Sequence, residues 1–320
     1  MILKDFIVDG HCDVLLNYWR DDNYKFSNNT DFHVDLPKLK EGNIGLEIFA
    51  ACSASKGNEA LKKTIKLIDK FKLLEQKTED IELIEEYSDI NKVISRNNIG
   101  VLLAIEGADG IFDLSALRIF YQLGVRLITL TWNYRNHLAE GINELKADGG
   151  VTQFGQSFIK EMNRLGIIID VSHLTPSSFW DVIEYSNSPV VASHSNVKEI
   201  CDHPRNLGDD QIKALAKKEG LIGINFYSDF LKNNNKKVES KDVIEHIRYI
   251  KDLVGIDYIG LGTDFDGIPT PPDDLSDISK IPRLVEELKK ANFTRDEIEK
   301  ITRENWLNII KKVNSMSNVR

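Results

Sequence analysis

Short runs of apolar residues recur along the chain and alternate with segments whose apolar residues lie at helical spacing. Eight such runs are predicted to be strands, at residues 6–8, 44–51, 99–106, 125–131, 167–173, 189–194, 221–226 and 258–264. Helices are predicted at 59–76, 89–97, 114–123, 152–165, 209–219 and 241–253, with two more starting at Thr175 and Thr294. Strands that are apolar throughout are typical of a parallel sheet buried on both faces.

The alternation of eight strands with helices predicts one (β/α)₈ barrel domain over residues 1–320, with extended loops at the C-terminal face. The alternative is an open, doubly wound sheet. That fold is weakened because no Gly-x-Gly-x-x-Gly follows the first strand. Two long polar segments, 14–43 and 133–151, are predicted to be loops, and loops of this length are usually functional.

Composition narrows the class of protein. A hydrophobic share of 42% and a charged share of 28% are typical of a globular domain. The net charge of −9 argues against nucleic acid or an anionic membrane as a partner. Cys12, Cys52 and Cys201 have no paired spacing, which suits a reducing compartment. With no signal peptide and no apolar run long enough for a bilayer, we expect a cytoplasmic enzyme.

Histidines and acidic residues stand at the ends of five predicted strands. They are His11 and Asp13 after the first strand, Glu106 on the third, His173 on the fifth, His194 on the sixth and Asp264 on the eighth. Each alone could be a hydrogen-bonded structural residue. In a barrel, however, the C-terminal strand ends converge on the active site. Buried together without cations, the carboxylates would repel one another, so the pattern predicts divalent metals.

The predicted ligands divide between two ions, one held by His11 and Asp13, the other by His173 and His194, with Glu106 bridging both. Two metals about 3.5–4 Å apart can generate a hydroxide at neutral pH and polarise a scissile carbonyl. Asp264 is then placed to act as general base toward the water and general acid toward the leaving amine.

Six motifs occur in order over nearly the whole chain: Asp9-Gly-His11-Cys-Asp13, Ile105-Glu106-Gly107, Asp170-Val-Ser-His173, Ser193-His194-Ser195, Pro204-Arg205-Asn206 and Gly262-Thr-Asp264-Phe-Asp266-Gly267. As an ordered set they are highly specific. The chain resembles the membrane dipeptidase (renal dipeptidase) family of zinc peptidases, which are (β/α)₈ barrels. The resemblance implies a binuclear zinc dipeptidase that acts on dipeptides and forms a homodimer.

The resemblance also implies roles for individual residues. The zinc ligands would be His11, Asp13, Glu106, His173 and His194, with two zinc ions bridged by Glu106, and Asp264 would match the acid/base position. Arg205 would bind the C-terminal carboxylate of the dipeptide, a role that suits the planar guanidinium. Tyr227 would lie near the substrate.

One position departs from the family pattern. Family members usually have a histidine after the fourth strand, near the oxygen of the scissile bond, and here Trp132 stands there. We predict that Trp132 narrows the substrate site, whereas the rival hypothesis gives the missing role to His137, five residues later.

Two other functions stay open. One is a different metal-dependent amidohydrolase or lactonase on a similar barrel, although such enzymes often use a lysine on the fourth strand, which is missing here. The other is a protein that keeps the metals but has a changed substrate or no turnover, which only Trp132 favours. The native metal is also open, because zinc, manganese and cobalt all tolerate these ligands.

Overall fold

The computed structural model describes residues 5–21, 23–28, 31–147, 149–233 and 237–319. The strands are β1 Ile7–Cys12, β2 Ile44–Cys52, β3 Ile81–Leu83, β4 Ile99–Glu106, β5 Val125–Thr129, β6 Ile168–Asp170, β7 Val190–Ser195, β8 Leu221–Ile224 and β9 Ile259–Leu261. The helices are α1 Val14–Arg20, α2 Leu36–Glu41, α3 Gly57–Lys77, α4 Tyr87–Ser95, α5 Leu114–Gln122, α6 Gln153–Leu165, α7 Pro176–Tyr185, α8 Asp209–Lys217, α9 Ser228–Leu231, α10 Ser240–Val254, α11 Ile281–Lys290, α12 Arg295–Glu299 and α13 Asn305–Met316.

Eight of the strands close into a parallel barrel in the order β1, β2, β4, β5, β6, β7, β8, β9. The circle is completed by β1, which pairs with β9 on one side and with β2 on the other. The pairing of β2 with β4 runs without interruption from Leu46 to Cys52. The predicted (β/α)₈ fold is therefore confirmed.

The short strand β3 was not predicted from the sequence. It pairs with the first residues of β4, where Ile81 lies opposite Ile99. β5 pairs with the last residues of β4 along the same edge of that strand. β3 therefore lies outside the closed circle of strands. Three residues are too few to show a strand pattern in sequence.

The buried apolar residues form two clusters. The larger one contains residues from both strands and surrounding helices. The smaller one contains alternate strand residues, such as Leu102 and Ala104, together with Trp306 of α13. The Trp306 indole N–H donates to the backbone oxygen of Leu261 over 2.8 Å. The ring fills the space beside Gly10, where any Cβ would collide with it. The last helix therefore packs directly under the strands that carry the site.

The segment 14–43 contains the helices α1 and α2, so the prediction of a loop there was wrong in part. Its residues are tied to the loop after β9 through the buried side chain of Asp266. The amide of Asn17 donates to one Asp266 oxygen over 2.8 Å, and the backbone N–H of His33 donates to the other over 2.7 Å. This segment therefore supports the loop that carries Asp264.

Three smaller differences concern the C-terminal part of the chain. The predicted last helix is divided by a wide helical turn at Lys300–Glu304, and α11 was not predicted. β9 ends at Leu261, so Asp264 lies in a loop and not on the strand.

Among the described residues, no helix combines the length and apolarity needed to cross a bilayer. Part of the predicted surface excursion at 232–240 lies outside the described residues.

Candidate metal centre

The six histidine and acidic side chains predicted at the strand ends lie together at the C-terminal end of the barrel. His11, Glu106 and His194 belong to β1, β4 and β7, whereas Asp13, His173 and Asp264 follow β1, β6 and β9 within three residues. All six side chains are buried. The parallel barrel explains this meeting, because it brings the C-terminal ends of all its strands to one face.

Glu106 is the centre of the cluster. Its Oε1 lies 2.9 Å from His173 Nε2, 3.5 Å from His194 Nε2 and 3.9 Å from His11 Nε2. The potential ligand atoms form three overlapping groups, each within 4.8 Å: His11, His194 and Asp264; Glu106, His173 and His194; and His11, Asp13 and Glu106. Three residues, Glu106, His11 and His194, each belong to two of these groups, and Glu106 is the only carboxylate among them.

Several polar atoms of this cluster are buried without a hydrogen-bond partner among the described residues. They are His11 Nε2, Asp13 Oδ1 and Glu106 Oε2. Leaving a buried donor or acceptor unpaired costs roughly 1–3 kcal/mol, so such atoms are rare in folded proteins. Imidazole nitrogen and carboxylate oxygen are zinc ligands. The residues present therefore fit a site for divalent cations of the zinc type.

The Nδ1 nitrogens of His173 and His194, which point away from Glu106, are held by hydrogen bonds. His173 Nδ1 lies 2.6 Å from Asn133 Oδ1, and His194 Nδ1 lies 2.8 Å from Ser193 Oγ. The Ser193 hydroxyl donates to Asp170 Oδ2 over 2.7 Å, so its oxygen accepts from the protonated Nδ1 of His194. Both rings are thereby fixed with Nε2 toward Glu106, an arrangement common around protein-bound metals.

The protonation states also suit metal binding. Burial and the charge of Arg205 lower the pKa of His173 to about 4. Burial and the charges of His11 and Arg205 lower the pKa of His194 well below its usual value. Both imidazoles are therefore neutral at pH 7, the state that offers a nitrogen lone pair.

The three carboxyl groups differ strongly in pKa. Burial alone would raise the pKa of Glu106, but the hydrogen bond with His173 and the nearby His173 and His11 rings together outweigh burial and lower the pKa to about 2. For Asp13, burial and the neighbouring carboxylates raise the pKa well above its usual value. For Asp264, burial is the largest effect and raises the pKa to about 6. A carboxyl with a pKa near neutrality is suited to proton transfer.

Asp264 is held rigidly. Its φ of 62° lies in the left-handed region, and its backbone N–H donates to the His11 oxygen over 2.9 Å. The side-chain amide of Asn225 donates to Asp264 Oδ2 over 2.8 Å. Gly267 follows closely, and a Cβ there would collide with the carboxylates of both Asp13 and Asp264. The loop therefore sets Asp264 beside the ligands at a fixed position.

The predicted substrate-binding residues surround this cluster. Arg205 is buried, and its Nη2 donates to the backbone oxygen of His194 over 3.1 Å. The Tyr227 hydroxyl donates to Asp229 over 2.8 Å, and the Tyr227 backbone N–H donates to Asn225. Tyr227 is therefore joined to Asp264 through one intervening side chain.

Trp132 and His137 lie in different surroundings. The Trp132 ring centroid is 6.3 Å from that of His173. The His137 ring instead stacks on Phe154 at 5.7 Å, and its Nε2 donates to the backbone oxygen of Ile111 over 2.8 Å. The structure thus brings Trp132, and not His137, next to a predicted ligand.

Four residues that contact the cluster were not predicted from the sequence: Asn133, Ser193, Asp170 and Asn225. Asp170 and Ser193 lie inside the quoted motifs, which was a signal that they matter. Asp170 is buried and also accepts from the hydroxyl of Thr129 over 2.6 Å. Through their hydrogen bonds, these residues orient the predicted ligands and the predicted proton-transfer group.

The chain is similar to known proteins over its whole length. The family described as Membrane dipeptidase (Peptidase family M19) matches residues 1–320. The uncharacterized dipeptidase C965.12 of Schizosaccharomyces pombe is 32% identical over 308 residues, covering 90% of this chain and 74% of that protein.

Solved structures match over nearly the full length. A metallo peptidase from Rhodobacter sphaeroides, liganded with a phosphinate mimic of the dipeptide L-Ala-D-Ala, is 25% identical with a TM-score of 0.90, covering 96% of this chain and 99% of that one. The dipeptidase AC, a metallo peptidase of family M19, is 26% identical with a TM-score of 0.91, covering 96% of this chain and 98% of its own.

Proposed function

Because this chain belongs to the membrane dipeptidase family, peptidase family M19, we propose that it is a binuclear zinc dipeptidase. Membership makes it a metal-dependent hydrolase. The observation that carries the finer proposal is the position of Glu106, the only carboxylate of the described cluster that belongs to two of the three groups of potential ligand atoms. A carboxylate shared in this way suits two ions better than one, because five ligands are too many for one tetrahedral site.

We assign His11 and Asp13 to one ion, His173 and His194 to the other, and Glu106 to both. The buried, unpartnered atoms His11 Nε2, Asp13 Oδ1 and Glu106 Oε2 support this assignment. When bound, two zinc ions would supply a water that ionises near neutral pH and an electrophile for the scissile carbonyl.

Asp264 moves the proton in this proposal. Its Oδ2 accepts from Asn225, which leaves Oδ1 to take a proton from the attacking water and pass it to the leaving nitrogen. The raised pKa of about 6 supports this role, because at pH 7 most of the carboxyl is ionised and ready to accept.

Arg205, Tyr227 and Trp132 would bind the dipeptide. Arg205 Nε is buried and has no partner among the described residues, so it can donate to the terminal carboxylate of a substrate. Trp132 lies beside His173 and would bound the site on that side. Tyr227 is half-buried near Asp264 and would contact the substrate less directly.

The test combines metal analysis with a substrate panel. Purified protein loaded with zinc should contain two ions per chain and hydrolyse dipeptides, including L-Ala-D-Ala, whose phosphinate mimic is bound by the Rhodobacter sphaeroides relative. Glu106→Ala should lose metal and activity, whereas Glu59→Ala, at an exposed surface pair, should lose neither. Full occupancy and activity of Glu106→Ala would refute the bridging role, and hydrolysis of lactones alone would favour the alternative of a lactonase on a similar barrel.

The assembly and cellular location are separate proposals. The family resemblance supports a homodimer, which light scattering on the purified protein would test. The composition supports a cytoplasmic location, which fractionation of the native host would test.

A further inference from the structure

A buried histidine on one of the outer helices connects two segments that follow barrel strands. His246 lies on α10 and is fully buried. Its Nδ1 accepts from the backbone N–H of Val197 over 3.1 Å, and its Nε2 donates to the backbone oxygen of Leu231 over 3.0 Å. Val197 follows β7, and Leu231 is the last residue of α9, which follows β8. One imidazole therefore fastens both segments to α10.

The two hydrogen bonds require one state of the His246 ring. Burial lowers the pKa of His246 to about 4, so the imidazole is neutral at pH 7. A neutral ring has one N–H and one lone pair, and the N–H of Val197 donates to the lone pair at Nδ1. The proton therefore lies on Nε2 and is donated to Leu231. An apolar side chain of similar volume would leave both backbone groups unpaired in the protein interior, which costs free energy.

The bond to Val197 fixes the loop that carries Arg205. This loop leaves β7 and returns beside its own start. The Lys198 N–H donates to the Leu207 oxygen over 2.9 Å, and the Leu207 N–H donates to the Asn196 oxygen over 2.8 Å. Val197 lies between these two bonds and pairs with Leu207. Arg205 is two residues from Leu207, so the position of Val197 sets that of the Arg205 backbone.

The bond to Leu231 fixes the ring on which the Arg205 guanidinium lies. The guanidinium carbon is 5.6 Å from the centroid of the Phe230 ring. Phe230 directly precedes Leu231, which accepts from His246. The side-chain amide of Asn206 donates to the Phe230 oxygen over 2.8 Å and so ties the two segments to each other. The backbone and the guanidinium of Arg205 are therefore both held through the same imidazole.

We propose that His246 is a positioning residue for substrate binding, which holds Arg205 where its guanidinium can meet the terminal carboxylate of a dipeptide. This role rests on the proposed dipeptidase function and deepens it. His246 makes its two hydrogen bonds to backbone atoms of Val197 and Leu231, and neither residue is a predicted metal ligand. Replacing the imidazole should therefore leave the zinc site intact, and its effect should fall on KM.

Two variants separate the hydrogen bonds from the bulk of the side chain. The amide of His246→Asn reaches the position of Nδ1 and can accept from Val197, whereas His246→Leu can pair with neither backbone group. His246→Leu should raise KM for L-Ala-D-Ala by at least about tenfold, because a hydrogen bond to a charged group is worth about 10- to 100-fold in affinity. Its kcat should stay within about threefold, and His246→Asn should keep both constants within that range. Tyr249→Phe removes one hydrogen bond from the same helix to Asp209 and should change neither constant.

A double-mutant cycle distinguishes positioning of Arg205 from a general loss of stability. In Arg205→Met the carboxylate clamp is already missing, so adding His246→Leu should change kcat/KM less than about threefold. Binding provides a second measurement. The Kd of the phosphinate mimic of L-Ala-D-Ala, the ligand of the Rhodobacter sphaeroides relative, should rise in His246→Leu in parallel with KM. The zinc content of His246→Leu should equal that of the wild type.

The outcomes separate the two proposals. If the zinc-loaded wild type hydrolyses no dipeptide, the proposed function fails and the role of His246 fails with it. If the wild type is active but His246→Leu keeps KM, or His246→Asn loses as much as His246→Leu, the positioning role is wrong and the dipeptidase stands. A full additional loss in the Arg205→Met background would likewise overturn it. Should His246→Leu not fold, His246→Gln takes its place with the same expected rise in KM, because its amide reaches the position of Nε2 and not that of Nδ1.

Discussion

Removing the side-chain amide of Asn225 should shift the pH dependence of the reaction. The amide donates to Asp264 Oδ2 over 2.8 Å, and this bond lowers the pKa that burial raises, so that the net pKa of Asp264 is about 6. A hydrogen bond to a charged group contributes about 1.5–3 kcal/mol, and one pKa unit equals about 1.4 kcal/mol. Without the bond, as in Asn225→Ala, the pKa of Asp264 should rise by about 1–2 units.

The sign of the effect follows from the role of Asp264. A general base works in its ionised form, so activity is present above the pKa and is lost as the pH falls through it. At pH 7 the ionised fraction of Asp264 should therefore be lower in Asn225→Ala than in the wild-type protein. The activity plateau at high pH should be the same in Asn225→Ala, because the Asp264 carboxylate is still present and is ionised there.

The measurement is kcat/KM for one good dipeptide between pH 5 and 9, at saturating zinc. The midpoint of the acid limb should move up by about 1–2 units in Asn225→Ala and stay in place in Asn98→Ala, which removes a half-buried amide before β4, at the opposite end of that strand from Glu106. Asp264→Asn should lower kcat by about 10²–10⁴-fold over the whole range. An unmoved acid limb, or an equal loss at every pH, would refute the tuning of Asp264 by Asn225.

Three further changes probe other parts of the site. Arg205→Met should mainly raise KM for dipeptides, because it removes a carboxylate clamp; an unchanged KM would contradict that role. Trp132→His should raise kcat on some dipeptides and His137→Ala should change little, because Trp132, and not His137, lies beside His173. A hundredfold loss in His137→Ala would instead give the role of the missing family histidine to His137. Chelation should lower Tm by several degrees in a thermal melt, because ions that bind only the folded chain stabilise it by about 4 kcal/mol at 1,000 times Kd; an unchanged Tm would argue against a built site.

The sequence was most informative where one physical rule covered many residues. Apolar runs buried on both faces predicted the eight barrel strands, and closure of the barrel then predicted that residues such as Glu106 and Asp264 would meet. Neither step required a contact between particular side chains. Both depended only on continuous apolar runs and on the common direction of parallel strands.

The missed features depend on contacts between distant parts of the chain. α1 was not predicted because its seven residues are too few for a helical pattern, and it is held by the pairing of Asn17 with Asp266. Asn133 was assigned to a loop, and only the fold brings it to His173. A lone Asn in sequence is equally suited to a turn, a cap or an exposed surface.

The backbone conformation of two residues in the site was likewise not predicted from the sequence. His173 and Asp264 have φ values of 69° and 62°, a region that non-glycine residues rarely occupy and that costs of order 1–3 kcal/mol each. Hydrogen bonds offset this strain, because the His173 oxygen accepts from Ile142 and the Asp264 N–H donates to His11. Glycine would adopt these angles more easily but would carry neither the imidazole nor the carboxylate. The strained backbone at these two positions therefore directs the imidazole and the carboxylate at one point.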